Sequence, residues 1–165
     1  MRKILAAAML LSTALFVMSA CSPLLAAEEP DLFEYEGAAV GNNSAVLNTL
    51  NRLPGAEHFT GFELETKQQP YGVTASYDWE KATLSDKETA AHNATYLFTL
   101  IDNVEWVQFD FDTGADVEQY QLTREQLQAW YEVDLTEIDE QEKLEELLEQ
   151  YLDEDQKIDA LLTQS

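Results

Sequence analysis

Asp110, Asp112, Gly114 and Asp116 recur at every second position, a spacing that presents oxygen ligands to calcium, a hard cation that takes six to eight of them. The run departs from a calcium-binding loop: glycine stands at its fifth position, and Gln121 stands at the twelfth, where a bidentate glutamate belongs. Asp110, Asp112 and Asp116 are therefore the ligands expected if calcium binds, and an ordinary polar turn is the simpler reading. Asp112-Thr113-Gly114-Ala115 also matches the tetrapeptide around an aspartic-protease carboxylate, but two such aspartates must share one proton and the chain has a single copy. His58 and His92 are the only histidines, and neither has a metal-binding partner at helical spacing. Ser44, Ser76 and Ser85 lack the G-x-S-x-G turn that exposes a serine nucleophile. No catalytic residue is assigned. An enzyme built on a carboxylate pair remains the alternative, because Asp and Glu are abundant and no spacing selects a pair.

Cys21 has a different chemistry. It is the only cysteine, so no internal disulfide can form, and it directly follows Ser19-Ala20 at the end of an apolar run, Ile4–Val17, that stands behind Arg2 and Lys3. A basic start, a short apolar stretch and small residues before a cysteine read as a bacterial lipoprotein signal with its lipidation site. The run is shorter than the ~20 apolar residues a spanning helix needs. Residues 1–20 are thus expected to be a signal peptide, Cys21 the acylated residue, and 21–31 a tether. Two acyl chains at ~0.8 kcal/mol per buried CH2 suffice for stable anchoring on the extracytoplasmic face of the membrane.

The chain has 165 residues and a net charge of −23; loss of the leader removes the two positive charges of Arg2 and Lys3 and leaves −25. Phosphates would be repelled, which argues against a nucleic-acid partner. Apolar residues make up 45% of the chain, enough for one globular core. From Glu132 to Asp159 there are thirteen acidic side chains against Lys143 and Lys157. These mark either a solvated helix face or a docking surface for a basic partner.

Elements that position these residues follow from periodicity. Asn42 or Asn43 can cap a helix carrying Val46, Leu47, Leu50 and Leu53, which Pro54-Gly55 ends. Phe62, Leu64 and Thr66 alternate, Gln69-Pro70-Tyr71-Gly72 supplies a turn, and Val73, Ala75, Tyr77 and Trp79 alternate again, which predicts a hairpin. Ser85 and Glu88 form a capping-box pattern ahead of Ala94, Leu97, Phe98 and Ile101. A second hairpin runs through Val107, Phe109 and Phe111, turns at Asp112-Thr113-Gly114, and returns through Tyr120 and Leu122. Thr123 and Gln126 repeat the box. Leu144, Leu147, Leu148, Tyr151 and Leu152 form a last stripe that Ile158, Leu161 and Leu162 extend, with Thr136 and Asp139 as its expected caps. The order predicts an α+β fold: an antiparallel sheet of about four strands in two hairpins, with helices on one face. Residues 32–131 form the expected domain, and 132–165 an acidic amphipathic helical tail.

Tyr35-Glu36-Gly37, Gly41-Asn42-Asn43-Ser44-Ala45-Val46, Leu53-Pro54, Phe62–Lys67, Pro70-Tyr71-Gly72-Val73 and Leu100–Val104 together resemble an uncharacterised extracytoplasmic domain of Gram-positive bacteria. That domain occurs as small lipoproteins and attached to membrane metallopeptidases of the beta-lactam sensor type. The resemblance covers about Leu32 to Tyr131 and implies a sensing or accessory role; it carries over no site residue. Most of these segments sit at predicted caps and turns. Tyr71 is the exception, because an aromatic at a turn tip adds little to folding and is a candidate ligand contact, although packing at the core or rim is the stronger reading. The expectation is a membrane-anchored lipoprotein that binds either a membrane or envelope protein or an envelope ligand, without catalysis.

Overall fold

A computed structural model describes residues 31–152 and 155–162; the leader, Cys21 and most of the expected tether lie outside the described residues. Asn42 Oδ1 accepts from the Ala45 N–H at 3.2 Å, which satisfies an orphan donor and starts α1 (Asn43–Leu50). This helix ends at Leu50, short of Pro54-Gly55, and Leu53 is buried from the turn beyond it. Ser85 accepts from Glu88 N–H and starts α2 (Asp86–Leu100). Thr123 and Gln126 form the reciprocal capping box ahead of α3 (Arg124–Tyr131).

Four strands, β1 (Phe59–Glu65), β2 (Gly72–Asp78), β3 (Trp106–Asp112) and β4 (Val117–Thr123), form one sheet in the order β1-β2-β3-β4. β1 with β2 and β3 with β4 are the two antiparallel hairpins expected. β2 and β3 pair in parallel, so the sheet is mixed and not the antiparallel sheet expected. The connection is the reason. The 15-residue α2 carries the chain back along the sheet, so β3 begins at the same end as β2.

Inward positions are filled by Val73, Ala75, Tyr77, Val107, Phe109, Phe111 and Leu122, all buried. Thr74, Ser76, Gln108 and Asp110 line the opposite face with Glu63, Asp78, Asp112 and Gln119, and are half-buried or exposed. Helices therefore cover one face of the sheet and leave the other open. α2 is enclosed between the sheet and an outer layer of α1, α4 (Gln141–Leu152), α5 (Asp155–Leu162) and the 3-10 turn Leu135–Glu137. Eleven of its fifteen residues are buried. Several of its polar groups are paired inside: Asn93 donates to the Pro54 carbonyl at 3.0 Å and the Tyr77 hydroxyl at 3.3 Å, and Thr95 donates to the Ala91 carbonyl at 2.8 Å, while the buried Thr99 hydroxyl has no partner among the described residues.

Arg124 is 8% exposed. Its guanidinium donates to the carbonyls of Phe98 at 2.6 Å, Ile101 at 2.7 Å, Val104 at 3.0 Å and Asp102 at 3.1 Å. These acceptors belong to the last turn of α2, its C-cap and the loop that follows, where a cation also meets the negative end of the helix dipole. One buried charge thus ties the start of α3 to the end of α2.

The tail forms α4 and α5, two helices in place of the single one expected. Neither Thr136 nor Asp139 starts α4: Asp134 caps the 3-10 turn, and Asp139 pairs with Lys143 at 2.7 Å. Leu144, Leu148, Ile158 and Leu161 are buried against the α2 layer, and Lys87 meets Asp159 at 2.6 Å. No helix among the described residues is long and apolar enough to cross a membrane.

Candidate functional site

The parallel pairing of β2 and β3 puts both strand starts at one end of the sheet, beside the exit of α2. Tyr71 anchors this corner through its carbonyl, which accepts from Glu105 N–H at 2.8 Å and Trp106 N–H at 3.4 Å. Trp106 lies flat on Gly72: a Cβ at Gly72 would stand 2.0 to 2.4 Å from three atoms of the indole. The indole Nε1 donates to the Pro70 carbonyl at 3.1 Å. Glycine is thus required at position 72 by the close approach of a ring, not by turn geometry.

Next to this platform is a cleft of 420 Å³ lined by Gln69, Pro70, Tyr71, Asn103 and Glu105, within the size range of small-molecule and peptide-side-chain sites. Asn103 is fixed by its Oδ1, which accepts from the Val40 N–H at 2.6 Å. Asp102 N–H donates to the Ala38 carbonyl at 3.0 Å, and Ala38 bridges Ile101. The segments 35–43, 69–72 and 101–105 therefore meet at one corner. The cleft combines a half-buried tyrosine, amide groups and the exposed carboxylate of Glu105. Such a mixture supplies an aromatic wall and directional hydrogen bonds, which suits recognition.

Asp110, Asp112 and Asp116 are placed elsewhere, along β3 and in the turn after it. Asp110 Oδ1 accepts from the side-chain amides of Gln108 at 2.8 Å and Gln119 at 2.9 Å; Asp112 Oδ1 accepts from Gly114 N–H and Asp116 Oδ1 from Val117 N–H, each at 2.9 Å. Gly114 has φ of 79°, so Asp112-Thr113-Gly114-Ala115 is a hairpin turn. Among the described residues no three His, Cys, Asp or Glu side chains gather as a metal-holding group. His58 packs edge-on against Trp79, and Ser85 is a helix cap.

Sequence reasoning singled out Tyr71 and missed Trp106 and Asn103. The available signal was Gly72 after the Pro70-Tyr71 turn: a glycine opening a strand marks close approach of another group.

The fold and corner define a small α+β protein, a mixed four-stranded sheet with one open face and a polar, aromatic-walled cleft where its parallel strands begin. The chain belongs to the family described as Domain of unknown function (DUF4825), whose model matches residues 32–123, the whole sheet and the three segments of the corner. No curated protein and no solved structure matches the chain.

Proposed function

We propose that this protein is a lipid-anchored extracytoplasmic binding module, held to the membrane by acylated Cys21, that recognises a membrane or envelope protein at the Tyr71 cleft without catalysis. The observation that carries this reading is the convergence of segments 35–43, 69–72 and 101–105, far apart in the chain, on one cleft beside the seated indole of Trp106. A half-buried tyrosine beside an exposed carboxylate resembles the aromatic anchors and polar rims of transient interfaces. The leader and Cys21 supply the address, and the excess negative charge keeps the domain from adhering to anionic lipid and nucleic acid.

In-cell crosslinking followed by mass spectrometry tests this, comparing the wild type with Cys21→Ala and Tyr71→Ala. One membrane or envelope protein is expected to be enriched with the wild type, reduced with Cys21→Ala, and lost with Tyr71→Ala although the variant stays folded. Equal enrichment in wild type and Tyr71→Ala would remove the cleft from the interface. Enrichment no greater than that of an unrelated lipoprotein would remove the partner and move the carboxylate-pair enzyme ahead.

A further inference from the structure

A second cavity, of 170 Å³, lies on the helical side of the molecule, where α4 covers α2. It has room for about five waters at ~30 Å³ each. His92 and Tyr96 of α2 form one wall, Gln141 and Glu145 of α4 the other, and Leu53 and Pro54 close the base. Tyr96 is 4% exposed, and its hydroxyl oxygen, which solvent still reaches, has no hydrogen-bond partner among the described residues. His92 stacks on it with ring centroids 5.1 Å apart.

The neighbours of His92 fix its tautomer. Asn93 donates through Nδ2 to the Pro54 carbonyl, an acceptor only, so the atom of Asn93 facing His92 Nδ1 at 3.3 Å is its oxygen. Nδ1 must then carry the hydrogen in the neutral ring, and Nε2 keeps a lone pair. Burial holds the imidazole below its ordinary pKa, so it is neutral at pH 7. On the facing helix, Gln141 Nε2 donates to Glu145 Oε1 at 2.7 Å, which orients that carboxylate and turns the Gln141 acceptor away from it. The cavity therefore offers acceptors from both walls: the Nε2 lone pair, the Glu145 carboxylate and the Tyr96 oxygen. The cation at its edge, Arg52, is met by Glu34 at 3.0 Å.

We propose that this cavity binds a small molecule through a protonated primary amine, whose three N–H groups are taken by His92 Nε2, Glu145 and the Tyr96 hydroxyl. An ammonium has three donors and no acceptor, the complement of this wall. The chain's excess of carboxylates favours a cation entering it. Half of the site comes from α4, beyond the residues the family model matches, so the site is a property of this chain and independent of the Tyr71 cleft.

Two histidines make the test simple. In the full chain purified in detergent at about pH 7.5, where His92 is neutral, the imidazole NMR signals are followed while ethylamine hydrochloride or L-alanine is added. The His92 signals are expected to move saturably with each amine and not with sodium acetate, while those of His58 stay fixed. Glu145→Gln, on the exposed side of α4, is expected to weaken binding about tenfold, the scale of one charged hydrogen bond, with the melting temperature kept. Tyr96→Phe is expected to weaken it to a smaller extent. Tighter binding of L-alanine identifies a free amino acid as the ligand class; equal binding identifies the amine alone. No movement of His92 up to about 50 mM amine, enough to saturate a millimolar site, or the same movement in Glu145→Gln, would overturn the proposal.

Discussion

A methyl group on Gly72 would meet the Trp106 indole at 2.0 Å, and the ring cannot retreat without breaking its bond to the Pro70 carbonyl. Gly72→Ala is therefore expected to lift Trp106 off the sheet and to cost about 1–3 kcal/mol, the range for overpacking. Urea denaturation followed by tryptophan fluorescence checks both parts: a lower midpoint, and a native emission shifted to the red as the indole enters water. An unchanged midpoint and spectrum would mean that the ring is not seated on Gly72. Local spacing carried one sign of this, a glycine opening a strand. Trp106 stands out of phase with the alternating Val107, Phe109 and Phe111, and Gly72 reads as a turn glycine because the ring that needs it comes from 34 positions further along the chain. Arg124 was hidden for the same reason. It follows a capping threonine and looks like an exposed first-turn residue, yet four carbonyls from the end of α2 and its following loop draw it inside. His92 is half-buried, and its tautomer depends on Pro54, a long-range neighbour.

Elements were more legible than their arrangement. The caps at Asn42, Ser85 and Thr123 are local and stand where the sequence placed them, because a side-chain oxygen and a backbone N–H two or three residues on need no tertiary help. Alternation in β2 and β3 is the same for a parallel as for an antiparallel neighbour, so the pairing of these strands could not be read from either one. The tail shows the limit of a boundary drawn from sequence similarity. The family model ends at Thr123, but Leu135, Ile138, Leu144, Leu148, Ile158 and Leu161 lie beyond it and are all buried in the common core. At about 1.5–3 kcal/mol for each buried aliphatic side chain, these six contribute roughly 9–18 kcal/mol as an upper bound. That matches or exceeds the whole stability of a typical domain, ~5–15 kcal/mol. A chain ending at Glu132 is thus expected to lose cooperative unfolding. Circular dichroism against temperature measures this, and a sharp transition in the shortened chain would show that the sheet and α2 suffice without their outer layer.

Charge acts on the molecule as a whole. Thirty-two carboxylates stand against nine basic side chains, so repulsive pairs far outnumber attractive ones. Ion pairs among the described residues, such as Arg52 with Glu34, Lys87 with Asp159 and Lys143 with Asp139 and Glu140, are solvent-exposed to a large degree, and such pairs contribute about 0–1 kcal/mol each. Arg124, the cation that matters most for packing, is bonded to carbonyls at the α2 terminus and is little affected by salt. Screening should therefore relieve more than it removes. The melting temperature is expected to rise with sodium chloride, most steeply between about 0.01 and 0.1 M, where the Debye length falls from about 30 to 10 Å and distant carboxylates stop sensing one another. A melting temperature that falls over this range would mean that the few ion pairs outweigh the general repulsion. On the lipid-anchored binding role proposed above, partner capture is expected to show its steepest salt dependence in the same low-salt range.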